Sequence, residues 1–199
     1  MSLTLSLLLS DQKHLSRRGE GTMARGEGSN MSISQSLLPE FDREMAISRR
    51  VIERVPEDKY GWKPHAKSMA MGRLASHIAE MPGWGTAGLT MDSLDLAPVG
   101  GPAYEALDAT SKEQLLGAFD KNVAACRAAI AETGDADYMK MWALKRAGET
   151  LLSMPKIAVV RTFMMNHIIH HRGQLSVYLR ENDVPVPSIY GPSADEGSM

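Results

Sequence analysis

Asn166-His167-Ile168-Ile169-His170-His171-Arg172-Gly173-Gln174-Leu175 is the stretch on which the reading of this chain turns. Apolar residues recur at spacings of three and four through Val160, Phe163, Met164, Leu175 and Tyr178, which predicts a helix with one face toward a core. His167 and His171 are four residues apart on that apolar face, so their rings lie one above the other. His170 shares its stripe with Asn166 and Gly173 and belongs at the edge. Two imidazoles at this spacing can converge on one cation with bonds near 2.1 Å. The helix is expected to begin around Pro155, a favoured first-turn residue, and to end near Glu181, before Pro185 and Pro187.

Working backward, three more helices are expected. The first spans about Ser32 to Arg54, with Leu37, Leu38, Phe41, Met45, Ser48 and Ile52 on one side and Pro56 as its stop. The second starts near Met71 and carries Leu74, His77, Ile78, Met81 and Trp84; Pro82 and the following glycines are expected to kink or end it. A loop follows from about Asp92 to Ala109. The third helix runs from about Lys112 to Glu132 behind a Thr110 or Ser111 cap. Residues 138–153 read as an irregular connection. Helices, long loops and no convincing strand predict an all-α bundle.

His77 sits among Leu74, Ile78 and Met81 on the inward side of the second helix. A histidine there must be hydrogen-bonded, metal-bound or costly to bury. A single core histidine is commonly just a satisfied hydrogen-bonder, whereas the 167/171 pair on an apolar face is more specific. His77, His167 and His171 together form a three-imidazole ligand set. Without a thiolate it suits Zn, Ni, Co or Fe(II), and it leaves coordination positions open. Glu80, three residues after His77, is a candidate fourth ligand, general base or partner behind a ligand. Gln174, one turn beyond His171, is a candidate hydrogen-bonder to a ligand or bound water. Each has an ordinary alternative as a surface group.

These matching pieces resemble the DinB-like (DNA-damage-inducible) metalloprotein family: Leu74-Ala75-Ser76-His77-Ile78-Ala79-Glu80, the Asn166–Leu175 stretch, and the ending Pro185 to Glu196. The resemblance covers nearly all of residues 31–199. It implies a four-helix bundle with a long crossover connection, often dimeric, and a three-histidine metal site mapping onto His77, His167 and His171. It also implies a thiol-dependent S-transferase or isomerase using a low-molecular-weight thiol. Metal-dependent hydrolysis and a non-catalytic, metal-binding stress-response module are the alternatives. No thiol-binding signature accompanies the motifs.

The remaining features narrow the field. The 199 residues are 43% hydrophobic and 23% charged, enough to bury one core. A net charge of −2 and no basic helix face argue against nucleic acid. The apolar run Leu3 to Leu9 is too short to span a membrane and lacks signal-peptide flanks. One cysteine, Cys126, excludes an internal disulfide, fits a reducing compartment and reads as a core thiol; a cytoplasmic location is the expectation. Gly83-Trp84-Gly85-Thr86-Ala87-Gly88 matches G-x-G-x-x-G but ends a helix with no strand before it, so dinucleotide binding is not expected. Trp62, Trp84 and Trp142 read as packing or pocket-lining residues. Residues 1–30 are rich in Gly and Ser, with one large apolar residue between Asn30 and Leu15, Met23, and are expected to be a disordered extension.

Overall fold

The computed structural model describes residues 31–197, and the expected N-terminal extension lies outside the described residues. Helix α1, Ile33–Glu53, opens on a capping box: the Ser32 hydroxyl accepts from Gln35 N–H while the Gln35 side chain accepts from Ser32 N–H. Helix α2 is Met71–Thr90. Strand β1, Ser93–Asp95, follows it, and a loop leads to α3, Lys112–Glu132. There Ser111 is the cap, its hydroxyl accepting from Gln114 N–H at 3.2 Å. A short turn of helix α4, Asp135–Tyr138, precedes strands β2, Met141–Arg146, and β3, Glu149–Pro155. The last helix begins as α5, Lys156–Ala158, widens into a π-wound segment, Val159–Met165, and ends as α6, Asn166–Glu181.

The four long helices share one core in which Phe41, Ile52, Leu74, Ile78, Phe119, Ile130, Met164 and Leu175 are buried. Both α1 and α2 pack on α3 and on α6 but scarcely on each other. That arrangement turns one face of α2 toward the last helix, and the histidines lie there. Among the described residues no helix is long and apolar enough to cross a membrane.

The chain is mostly helical, but a small sheet interrupts the all-α expectation. Its order is β1-β2-β3, with β1 parallel to β2 and β2 antiparallel to β3. Residues 138–153, read as an irregular connection, hold most of a hairpin. Its two turn residues, Ala147 and Gly148, have φ of 52° and 82°, the left-handed pair of a tight hairpin turn. Ala147 does not announce such a turn. The Asp95 carboxylate, arriving from β1, accepts from the N–H groups of Ala147 at 3.0 Å and Gly148 at 2.8 Å and so holds it.

The second correction concerns α2, which continues through Pro82 and all three glycines rather than kinking to an end there. Proline removes one helical hydrogen bond, and Asn122 of α3 donates to the neighbouring Ala79 carbonyl at 2.9 Å. The glycines serve close packing. A Cβ on Gly88 would lie 2.4 Å from Val159 Cγ1, and one on Gly85 would lie 2.8 Å from Cys126 Sγ. Gly83 differs, since a Cβ there meets only Asn122 at 3.6 Å, an ordinary contact.

Glycine in a helix interior costs about 1 kcal/mol relative to alanine, whereas overpacking a core costs about 1–3 kcal/mol. Gly83→Ala is therefore expected to stabilise the fold by up to about 1 kcal/mol. Gly88→Ala, forced against the stiff, buried Val159, is expected to destabilise it by about 1–3 kcal/mol. Urea unfolding of the two variants beside the parent checks the opposite signs.

Candidate metal centre

On α2 the residues Arg73, His77, Glu80 and Trp84 recur at helical spacing and line one face. On the last helix Phe163, His167 and His171 do the same. Where these faces meet, His77, His167 and His171 each offer a ring nitrogen, and the three nitrogens lie within 4.8 Å of one another. The ring centroids are 4.8 Å apart for His77 and His171, 5.3 Å for His77 and His167, and 4.7 Å for His167 and His171. Around a tetrahedral ion with 2.1 Å bonds, nitrogens stand about 3.4 Å apart. The cluster is thus able to hold a metal after a small inward rotation of the rings. His170 is exposed, at the edge where its stripe put it.

Two of the rings have their Nδ1 atoms engaged. His77 Nδ1 lies 2.6 Å from Glu80 Oε1, and His171 Nδ1 lies 2.7 Å from Gln174 Oε1. A carboxylate or amide oxygen behind the ring accepts a hydrogen bond from Nδ1–H, which fixes the proton there and leaves the Nε2 lone pair free to ligate. Glu80 and Gln174 therefore stand behind ligand candidates rather than among them.

Glu80 is the more heavily used. Its Oε1 also accepts from Arg73 Nη2 at 3.0 Å, while Oε2 accepts from Leu107 N–H at 2.7 Å and Tyr104 hydroxyl at 3.2 Å. Burial alone pushes this carboxyl up, but the bonds from His77, Leu107 and Arg73, with the Arg73 charge, hold it below the usual carboxylate range. It stays ionised.

The imidazoles of His167 and His171 are kept neutral for the complementary reason. Burial lowers His171 to about 4, against the bond to Gln174 and with help from the neighbouring rings. Burial, with His77 beside it, also lowers His167, although the Phe163 carbonyl opposes the shift. Neutral imidazole is the form that ligates a metal.

Arg73 and Tyr104 were not singled out in the sequence. Arg73 carries a signal, lying four residues before His77 on the same face; Tyr104 sits in a loop without periodicity. Trp84 proves to be the tryptophan of the site. Its ring centre is 5.3 Å from that of His77, and its N–H donates to the Tyr104 hydroxyl at 2.9 Å. Trp142 is buried against Phe163, and Trp62 packs on Tyr178. Cys126 is a buried thiol that burial pushes up to about 12, so it is inert.

The sequence pattern of the DinB family matches residues 30–198, a span that takes in every described residue. The chain belongs to the DinB family. Solved relatives agree on the fold. A DinB-like protein from Bacillus cereus ATCC 10987 superposes with a TM-score of 0.59 at 22% identity, over 80% of this chain and 99% of that one. The DinB-like protein YjoA from Bacillus subtilis gives 0.59 at 17% identity, over 79% and 99%. A curated relative, the uncharacterized protein YrdA of Bacillus subtilis (strain 168), is 47% identical over 34 residues; that is 17% of this DinB chain and only 20% of YrdA.

The lowered histidines set a pH dependence for the metal-free protein. The unfolded chain holds imidazole protons from about 6.5 downward, while folded His171 resists them until about 4. In that window the folded state binds fewer protons, so stability is complete above the window and is lost as pH falls through it. The urea midpoint of chelator-treated protein is expected to drop between pH 7 and pH 5, and His171→Gln should remove part of that slope.

Proposed function

We propose that this DinB protein is a divalent-metal-dependent enzyme that adds a low-molecular-weight thiol to a small electrophile, with His77, His167 and His171 as the metal ligands. The helices are read as the family's four-helix bundle with its long crossover running through the sheet. One observation carries the metal assignment: three buried or half-buried imidazoles converge with Nδ1 of His77 and His171 committed behind the ring. A divalent cation in that set supplies Lewis acidity, lowering the pKa of a nucleophile near it.

The choice of thiol over water rests on Glu80. Hydrolysis calls for a general base, and both oxygens of this carboxylate are already occupied by His77, Arg73, Tyr104 and Leu107. A thiol ionises near 8.5 and needs far less help than water. Its sulfur gives an electron pair to the electrophilic carbon, a carbon–sulfur bond forms, and the leaving group departs with its own pair. The thiol proton passes to solvent. Glu80 fixes the His77 ring throughout, and Trp84 and Phe163 shield the cluster from water on one side.

Elemental analysis of purified protein is expected to find a stoichiometric divalent ion that His171→Ala loses. Glu80→Gln should weaken metal affinity by roughly 10–100-fold, the usual effect of removing a carboxylate behind a histidine ligand. Thiol consumption in the presence of a small electrophile should be metal-dependent and stop with chelator. Bound metal without metal-dependent turnover on thiol or hydrolytic substrates would leave a metal-binding module instead.

A further inference from the structure

A cavity of about 160 Å³ opens beside the imidazoles, between α2, the sheet and the π-wound segment. Trp84, Phe163, Leu94, Leu96 and Leu144 supply most of its wall, and its lining is almost wholly apolar. Leu94 and Leu144 are register partners across β1 and β2, so the unforeseen sheet forms one side. On α2 the cavity is lined by Arg73, Glu80 and Trp84, which bracket His77 on the same helical face. On the last helix it touches Phe163, one turn before His167. The Trp84 ring centre is 5.3 Å from that of His77 and 5.9 Å from that of His167. The histidines themselves do not line the cavity, and the Trp84 ring touches both the cavity and the cluster.

Size and wall chemistry define the occupant. An apolar cavity of about 150 Å³ accommodates one benzene. Of the polar groups at the rim, the Tyr104 hydroxyl accepts from Trp84 and donates to Glu80, and Arg73 donates through Nη2 to Glu80 while its buried Nη1 has no partner. Trp84 and Phe163 are stacked at 5.5 Å and 26° and present aromatic surface to the cavity.

We infer that this cavity binds a single six-membered aromatic ring of the electrophilic substrate, against Trp84 and Phe163, and so holds that substrate next to the histidine cluster. The inference rests on the enzymatic reading above for the word substrate; the binding of the ring does not.

The test uses fluorobenzene as the probe and two-ring 1-fluoronaphthalene as its oversize counterpart, titrated into the full-length protein and followed by NMR, with and without chelator. Saturable binding of fluorobenzene, at least tenfold weaker binding of 1-fluoronaphthalene, and insensitivity to chelator are expected. Leu144→Trp, which fills the cavity, should weaken fluorobenzene at least tenfold, whereas Leu151→Trp, on an exposed position of β3, should not. Leu96→Phe narrows the same space more gently and decides the matter if Leu144→Trp fails to fold. Non-saturable fluorobenzene binding, equal binding of 1-fluoronaphthalene, or indifference to both cavity variants overturns the inference. Loss of metal-dependent turnover with ring binding intact would instead overturn the proposed reaction alone.

Discussion

An ionised carboxylate withdrawn from water is costly unless its lone pairs are met by donors. Glu80, 5% exposed, satisfies that condition with four residues from two segments: His77 and Arg73 of its own helix, and Tyr104 and Leu107 of the loop between β1 and α3. The loop has little periodic structure of its own, and the carboxylate gives it two fixed points. In return the loop closes over the α2 face and completes the wall of the apolar cavity. The orientation of His77 and the path of a long connection thus have the same cause.

A second buried charge performs the equivalent task on the last helix. Arg172, 1% exposed, pairs with Glu44 of α1 at 2.7 Å and donates to the Glu44 carbonyl and the Ser48 hydroxyl. Tyr190 of the C-terminal segment completes it, accepting from Arg172 and donating to Glu44. Breaking such a pair from one side costs about 3–5 kcal/mol, so the rotation of α6 about its own axis is firmly set. Adjacent helical residues point about 100° apart. With Arg172 committed to α1, His171 is turned toward α2 and His77.

The helices and the histidine set were legible because their determinants are local. Periodicity, caps such as Ser111 and stops such as Pro56 act within a few residues. The burial of Leu115, Phe119, Cys126 and Ile130 follows directly from their spacing. The hairpin was hidden because its left-handed Ala147 depends on Asp95, far away in sequence and brought close only by the fold. The continuation of α2 was hidden for a similar reason. Gly85 and Gly88 look like helix breakers until Cys126, Met164 and Val159 are packed against them. Arg172 lay inside the most informative motif, but its partner Glu44 lies on another helix and nothing in the local pattern links the two.

The π-wound segment explains how one helix can serve both the core and the histidine cluster. In a regular α-helix a residue four positions on is rotated about 40° past its predecessor, so a strict four-residue series drifts off any one neighbour. Yet Val159, Phe163, His167 and His171 all face α2: Val159 lies over Gly88, Phe163 stacks on Trp84, and both histidines approach His77. A stretch with i→i+5 bonds takes more residues per turn, so its four-residue step falls short of a full turn and offsets the α-helical overshoot. The widened turn over Val159–Met165 keeps the series aligned along α2. Regular winding through that segment would leave either the Val159–Gly88 contact or the approach of His167 to His77 out of phase. The departure from ideal helix geometry is therefore tied to the same face that gathers the three imidazoles.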